Sequence, residues 1–238
     1  MRVTTDYLQQ FDPCEDGLER FEAAFPDGLD WTRDGQLAAL RSPCRQDIGW
    51  AWQMDVLPAW SMKFADLRGV DLRDVDLRDA DLRDADLRDA DLSGATLIRA
   101  NLARANLRGA DLNRANLRGV NLTRAYLVGA NLAGATLTLA DLHGAKLADA
   151  NLRGAYLALA LLAGAKLAGA TLAGATLTLA DLHGAKLAGA DLTRAKLAGA
   201  DLTNAYLTDA DLRGADLTRA NLTGAHLTGA HLPEGFSQ

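Results

Sequence analysis

Residues 85–109 read ADLRD-ADLSG-ATLIR-ANLAR-ANLRG. The leucine in the third place of each unit returns every fifth residue without a slip from Leu67 to Leu232, 34 times in succession. Counted from Ala65, the first place is Ala except at Val70, Val75 and Val120. The second favours Asp or Asn, and the fifth is Gly in 17 of the 34 units. A helix turns about 100° per residue, so leucines five apart would scatter around its surface. A flat strand alternates faces with period two, so an odd spacing throws successive leucines to opposite sides.

One arrangement keeps Ala and Leu inside together. They lie two residues apart, so a short extended segment points both the same way, and the next Ala, three residues on, requires a corner. Positions four and five then form the centre of a β-turn. A type II turn needs positive φ at its second central residue, which suits Gly. Asp74, Arg104 and Leu139 stand at that position and are expected either to make a different turn or to carry strain.

A chain that turns every five residues winds into a coil. The A-(D/N)-L-x-x units from Ala65 to about Leu232 resemble the pentapeptide-repeat family. That resemblance implies a mainly β fold, a right-handed quadrilateral β-helix with four pentads per coil, about 8.5 coils in all. The segment ATLTLADLHGAKLA occurs at residues 135–148 and again, letter for letter, at 175–188. An offset of 40 residues is two whole coils and returns the copied block to the same faces. At a strand spacing of about 4.8 Å the rod would be roughly 40 Å long.

The expected organisation is a Trp-rich N-terminal domain over residues 1–60, the β-helix over 61–232 and a short tail over 233–238. All four tryptophans (Trp31, Trp50, Trp52, Trp60) precede the array. Helical spacing over residues 14–25, and two shorter candidate helices over 36–41 and 46–57, give a small α-helical domain suited to capping the solenoid. Residues 60–64 loosely fit the pentad as a degenerate first unit. Pro233 stops the ladder, leaving a tail that is either frayed or folds Phe236 over the last leucine, or a bare end for an end-to-end homodimer.

Net charge is −6, unevenly placed: residues 65–92 hold 10 Asp against 5 Arg, while residues 93–238 are slightly basic. This is neither a uniformly acidic rod nor a strongly basic nucleic-acid binder, and no direct nucleic-acid contact is expected. No signal pattern opens the chain and no apolar run is long enough to span a bilayer, so the expected setting is cytoplasmic, without membrane contact. Cys14 and Cys44, the only cysteines, are expected reduced.

With Leu and Ala filling the interior, function is expected on the outer faces or in the head. Residues 20 apart should stack. Leu139, Leu159 and Leu179 form one corner column, with Leu161 and Tyr156 beside it, a candidate apolar protein-contact patch. Lys146, Lys166 and Lys186 form a candidate basic stripe flanked by tyrosines, and Asp71, Asp91, Asp111, Asp191 and Asp211 a candidate acidic ladder. The regularly spaced Asp, the His residues two coils apart and the turn glycines give no catalytic, metal or cofactor site. The expected function is a non-enzymatic rigid scaffold for protein–protein interaction. The competing reading, which the family resemblance implies, is a DNA-mimic binder of DNA gyrase or another topoisomerase, inhibiting it or protecting it from poisons.

Overall fold

From Asp66 to Asp211, the second residue of every pentad pairs in parallel with the residue twenty positions later, beginning with Asp66 and Asp86 and ending with Asp211 and His231. Twenty residues therefore close one coil, and four pentads make its four sides. The structure, a computed structural model, describes residues 2–3, 29–30 and 62–236. Ahead of the coils are two short strands, β1 (Arg2–Val3) and β2 (Leu29–Asp30), paired antiparallel with Arg2 opposite Asp30 and Val3 opposite Leu29. The sequence reading contains no such pair. The three expected helices of the head, and Cys14 and Cys44, lie outside the described residues.

The unit at residues 100–104 shows why this sequence repeats as it does. The Asn101 N–H donates to Ala80 O at 2.8 Å, Leu102 N–H to Asn121 O at 2.7 Å and Arg104 N–H to Thr123 O at 2.9 Å, joining the unit to the coils on both sides. The Ala100 N–H donates to Leu97 O at 3.1 Å, closing the preceding turn. The remaining amide, Ala103 N–H, points at no carbonyl. It donates instead to the Asn101 side-chain oxygen at 3.2 Å. All five amides are thereby satisfied, as an almost fully buried backbone demands. Nineteen of the twenty Asp and Asn residues at position two accept the position-four N–H in this way, Asn106 being the exception. The preference for Asp and Asn is thus first a backbone requirement, the side chain imitating a turn.

Position five has positive φ, between 55° and 71°, in every unit from Gly69 to Gly229. Asp74, Arg104 and Leu139, at φ 57°, 60° and 62°, make the same corner as glycine rather than a different one. The N–H following each closes onto its leucine carbonyl, at 3.3, 3.0 and 3.0 Å. Of the two expectations for these residues, strain is the one that holds: sixteen non-glycine residues in the array adopt the left-handed conformation because the corner is fixed by four neighbouring ladders.

The shaft is dry. Leucines from Leu67 to Leu212 and the alanines between them are at most 1 % exposed. Met62 takes the leucine place one unit before Ala65 and is fully buried, while Phe64 takes the corner with φ 62°. The array thus begins inside residues 60–64. At the other end Leu222, Leu227 and Leu232 are only partly buried, and Phe236 packs against the end of the buried core after a last turn closed from Phe236 N–H to Pro233 O at 3.2 Å. Among the described residues the amides of Leu217, Leu222 and Leu227 have no backbone acceptor.

Candidate protein-contact surfaces

Leu139, Leu159 and Leu179 occupy successive corners of one edge. Their amides donate to Ala158, Thr178 and Ala198 at 3.0–3.1 Å, so each corner sits directly on the next. Positive φ throws their side chains outward, leaving them 50 %, 46 % and 59 % exposed. Leu161 lies on one adjoining side, paired with Asp141 and Asp181, and Tyr156 on the other, paired with Thr136 and Thr176. These five make up most of the exposed large apolar side chains among the described residues; the others are Phe64 and Tyr206. All five residues of the patch expected from the sequence are thus brought together. A shallow groove lined by Ile98, Arg99, Arg118, Gly119 and Leu139 continues the strip towards the N-terminal coils.

Lys146, Lys166 and Lys186 pair in register on another side. The Lys146 ammonium lies 4.0 Å from the centre of the Tyr126 ring, and Arg108 approaches the same ring at 4.6 Å, so cations cover Tyr126 twice. Below, Lys186 lies 5.9 Å from the Tyr206 ring, which stacks on His226 at 4.6 Å with the rings 13° from parallel. The sequence reading placed the tyrosines in the lysine column but missed Arg108, which stands at position four and reaches diagonally. A search of positions four and two together at one-coil offset would have found it.

The acidic ladder is continuous from Asp71 through Asp91 to Asp111, and again from Asp191 to Asp211, with Asn131, Asn151 and Thr171 between. Its charge is partly compensated. Arg73 bonds Asp71 at 2.8 Å and reaches Asp91 at 3.7 Å, and Arg213 bonds Asp211 at 2.5 Å. Similar pairs hold Asp66, Asp76, Asp81 and Asp86 to the arginine two residues on, and Asp79 and Asp84 to Arg99 and Arg104 in the next coil. Bonding to Arg213 lowers the Asp211 carboxyl to about 2. Arg83, Arg104 and Arg88 hold Asp81, Asp84 and Asp86 below the ordinary carboxylate range by the same means. The repeated Asp-Leu-Arg-Asp of the first coils therefore forms a lattice of ion pairs, with Asp76 so covered by Arg78 that only 7 % of it is exposed.

His143 Nδ1 lies 2.7 Å from Asp141 Oδ1, a pair within one pentad. Among the described residues no three His, Cys, Asp or Glu side chains converge as metal ligands, and no helix is long and apolar enough to cross a membrane.

Comparison with known proteins agrees with this geometry. The model of pentapeptide repeats matches in eight copies, over residues 61–97, 85–124, 115–154, 155–194 and 195–232. No curated protein sequence matches. Among solved structures, HetL, a pentapeptide repeat protein involved in heterocyst differentiation regulation in the cyanobacterium Nostoc sp. strain PCC 7120, is 34 % identical. That match covers 76 % of this chain and 92 % of HetL, with a TM-score of 0.32. QnrB1, a plasmid-mediated fluoroquinolone resistance protein, is 19 % identical over 61 % of this chain and 78 % of its own, with a TM-score of 0.43. A pentapeptide repeat protein of the Arabidopsis thaliana thylakoid lumen is 26 % identical over 51 % of this chain and 67 % of its own, with a TM-score of 0.22. With the family model matched across the whole array, the chain belongs to the pentapeptide-repeat family, and its rod is that family's right-handed β-helix.

Proposed function

We propose that this protein is a rigid, non-enzymatic scaffold that binds another protein through the apolar corner of Leu139, Leu159 and Leu179, with Leu161 and Tyr156 at its margins. The observation that carries the reading is the exposure of these five side chains as one strip on a rod whose inward-facing leucines are buried from Leu67 to Leu217. Leucines held outward in a left-handed conformation do no packing for the shaft, and a contiguous exposed apolar strip is the usual mark of an interface. Rigidity follows from the unbroken ladder, which presents the strip without an ordering cost on binding.

Substituting Leu159→Asp tests it. Proteins retained by immobilised wild type should be lost with the variant while the thermal melt is unchanged, and cross-links to the bound protein should map beside Leu159. Retention of the same proteins by both forms would refute the assignment.

A second contact of the same class is an end-to-end homodimer in which the amides of Leu217, Leu222 and Leu227, without a backbone acceptor among the described residues, find acceptors and the half-covered leucines are buried. The DNA-mimic reading, binding to gyrase or another topoisomerase, has less support. Arginines pair with most aspartates of the first coils, which interrupts the anionic face there. Protection of gyrase from a poison in a supercoiling assay would restore that reading.

A further inference from the structure

One side of the rod stacks three lysines, Lys146, Lys166 and Lys186, directly on one another. Between Gly109 and Gly189, this side and its two bounding corners hold Arg124, Lys146, Lys166 and Lys186 against a single carboxylate, Asp149. Arg108 stands at the head of the lane. None of these five cations is among the ion pairs with carboxylates that lock the first coils. The floor between them is bare: Ala148, Ala168 and Ala188 follow the lysines, and Gly144, Gly164 and Gly184 precede them. Lys166, Lys186, Ala168 and Ala188 are exposed. The lane runs straight for four coils, about 19 Å at strand spacing. Stacked like charges at that spacing repel one another, so the fold gains nothing from them.

We infer that this lane docks an extended acidic segment of a protein partner, its carboxylates lying along Arg108, Arg124, Lys146, Lys166 and Lys186. The proposal is independent of the apolar corner, which lies elsewhere on the rod. Charge complementarity selects an anionic occupant, and two features select a polypeptide over a nucleic acid. Single-stranded nucleic acids use aromatic faces for base stacking. Here Arg108 and Lys146 cover Tyr126, the aromatic residue within the lane. The lane is also one column wide, with Asp141 and Asp181 on the neighbouring side and Asp149 at its corner. A bulky phosphodiester chain would meet those carboxylates, whereas a strand of about six residues would fit between them. Flexible lysine stems adjust the 4.8 Å cation repeat to the spacing of carboxylates on one face of a strand.

Fluorescence anisotropy with a labelled octaglutamate peptide tests the assignment, using the full-length protein and labelled oligo(dT) of eight nucleotides as the comparison. Wild type should bind octaglutamate more tightly than the oligonucleotide, and the affinity should fall about tenfold between 50 and 300 mM NaCl as the charges are screened. The triple variant K146E/K166E/K186E should lose binding with its thermal melt retained. A168E, which keeps every lysine but places a carboxylate in the floor, should weaken binding about tenfold, and L159D should bind as wild type does. No saturable octaglutamate binding at 50 mM NaCl, equal binding by the triple variant, or tighter binding of oligo(dT) would each overturn the proposal.

Discussion

At position five the backbone demands a left-handed residue, and the side chain found there shows what else the corner is for. Around Gly174 there is open space where a Cβ would sit, and its φ is +66°. Gly174→Ala therefore isolates the conformational cost and should destabilise the rod by about 1 kcal/mol in denaturant unfolding. Arg124→Gly, at φ 56°, should do the reverse by a similar amount. If both are silent, the corners are not strained. Position two obeys a different rule. Asp191 accepts the Thr193 amide at 2.9 Å and its hydroxyl at 2.7 Å. Removing that acceptor by Asp191→Ala should cost about 1–2 kcal/mol, whereas Lys166→Ala, with no such duty, should cost almost nothing. Equal losses would show that the Asp and Asn preference has another origin.

At the scale of one side of the rod, the decisive quantity is how charge is paired along a column. The lowered Asp81, Asp84, Asp86 and Asp211 carboxyls favour the ionised form in the folded state. Their contribution to stability is fully present above the ordinary carboxylate value of about 4 and is lost as pH falls through the folded values, about 2 for Asp211. Melting temperature should be flat from pH 7 to 5 and drop between pH 4 and 2. Arg213→Met should raise the Asp211 titration, followed by carbon NMR, towards the ordinary carboxylate value. An unmoved titration would mean the pair does not form in solution. The arginine partners were only partly legible in the sequence. Asp-Leu-Arg-Asp permits pairing along the pentad, as Arg83 makes with Asp81, and across coils, as Arg99 makes with Asp79. Which occurs depends on side-chain reach at each corner, which spacing alone leaves undetermined.

For the whole molecule, a fixed period made nearly all of the rod readable before any coordinates. The register of Leu67 through Leu232 dictates a corner every five residues, and the resemblance to the pentapeptide-repeat family supplies the four corners of each coil. The apolar strip was legible for the same reason, since Leu139, Leu159 and Leu179 fall twenty apart at a place where polar or small residues are the rule. Covering of Tyr126 by Arg108 and Lys146 was not, because it depends on side chains reaching diagonally between coils. The head resisted for a plainer reason: residues 1–60 have no repeat to fix a register, and the β1–β2 pair joins short segments that carry no strand pattern.

The twenty-residue coil itself is most directly tested by disulfide trapping in a chain with Cys14 and Cys44 changed to Ser. Asn116 and Thr136 are paired across adjacent coils, within the Cα separation that a disulfide bridges. Asn116→Cys with Thr136→Cys should cross-link rapidly on mild oxidation, while Asn116→Cys with Asn131→Cys, or with Asp141→Cys, should stay reduced. Cross-linking at offsets of 15 or 25 as fast as at 20, or none at 20, would contradict a four-sided coil.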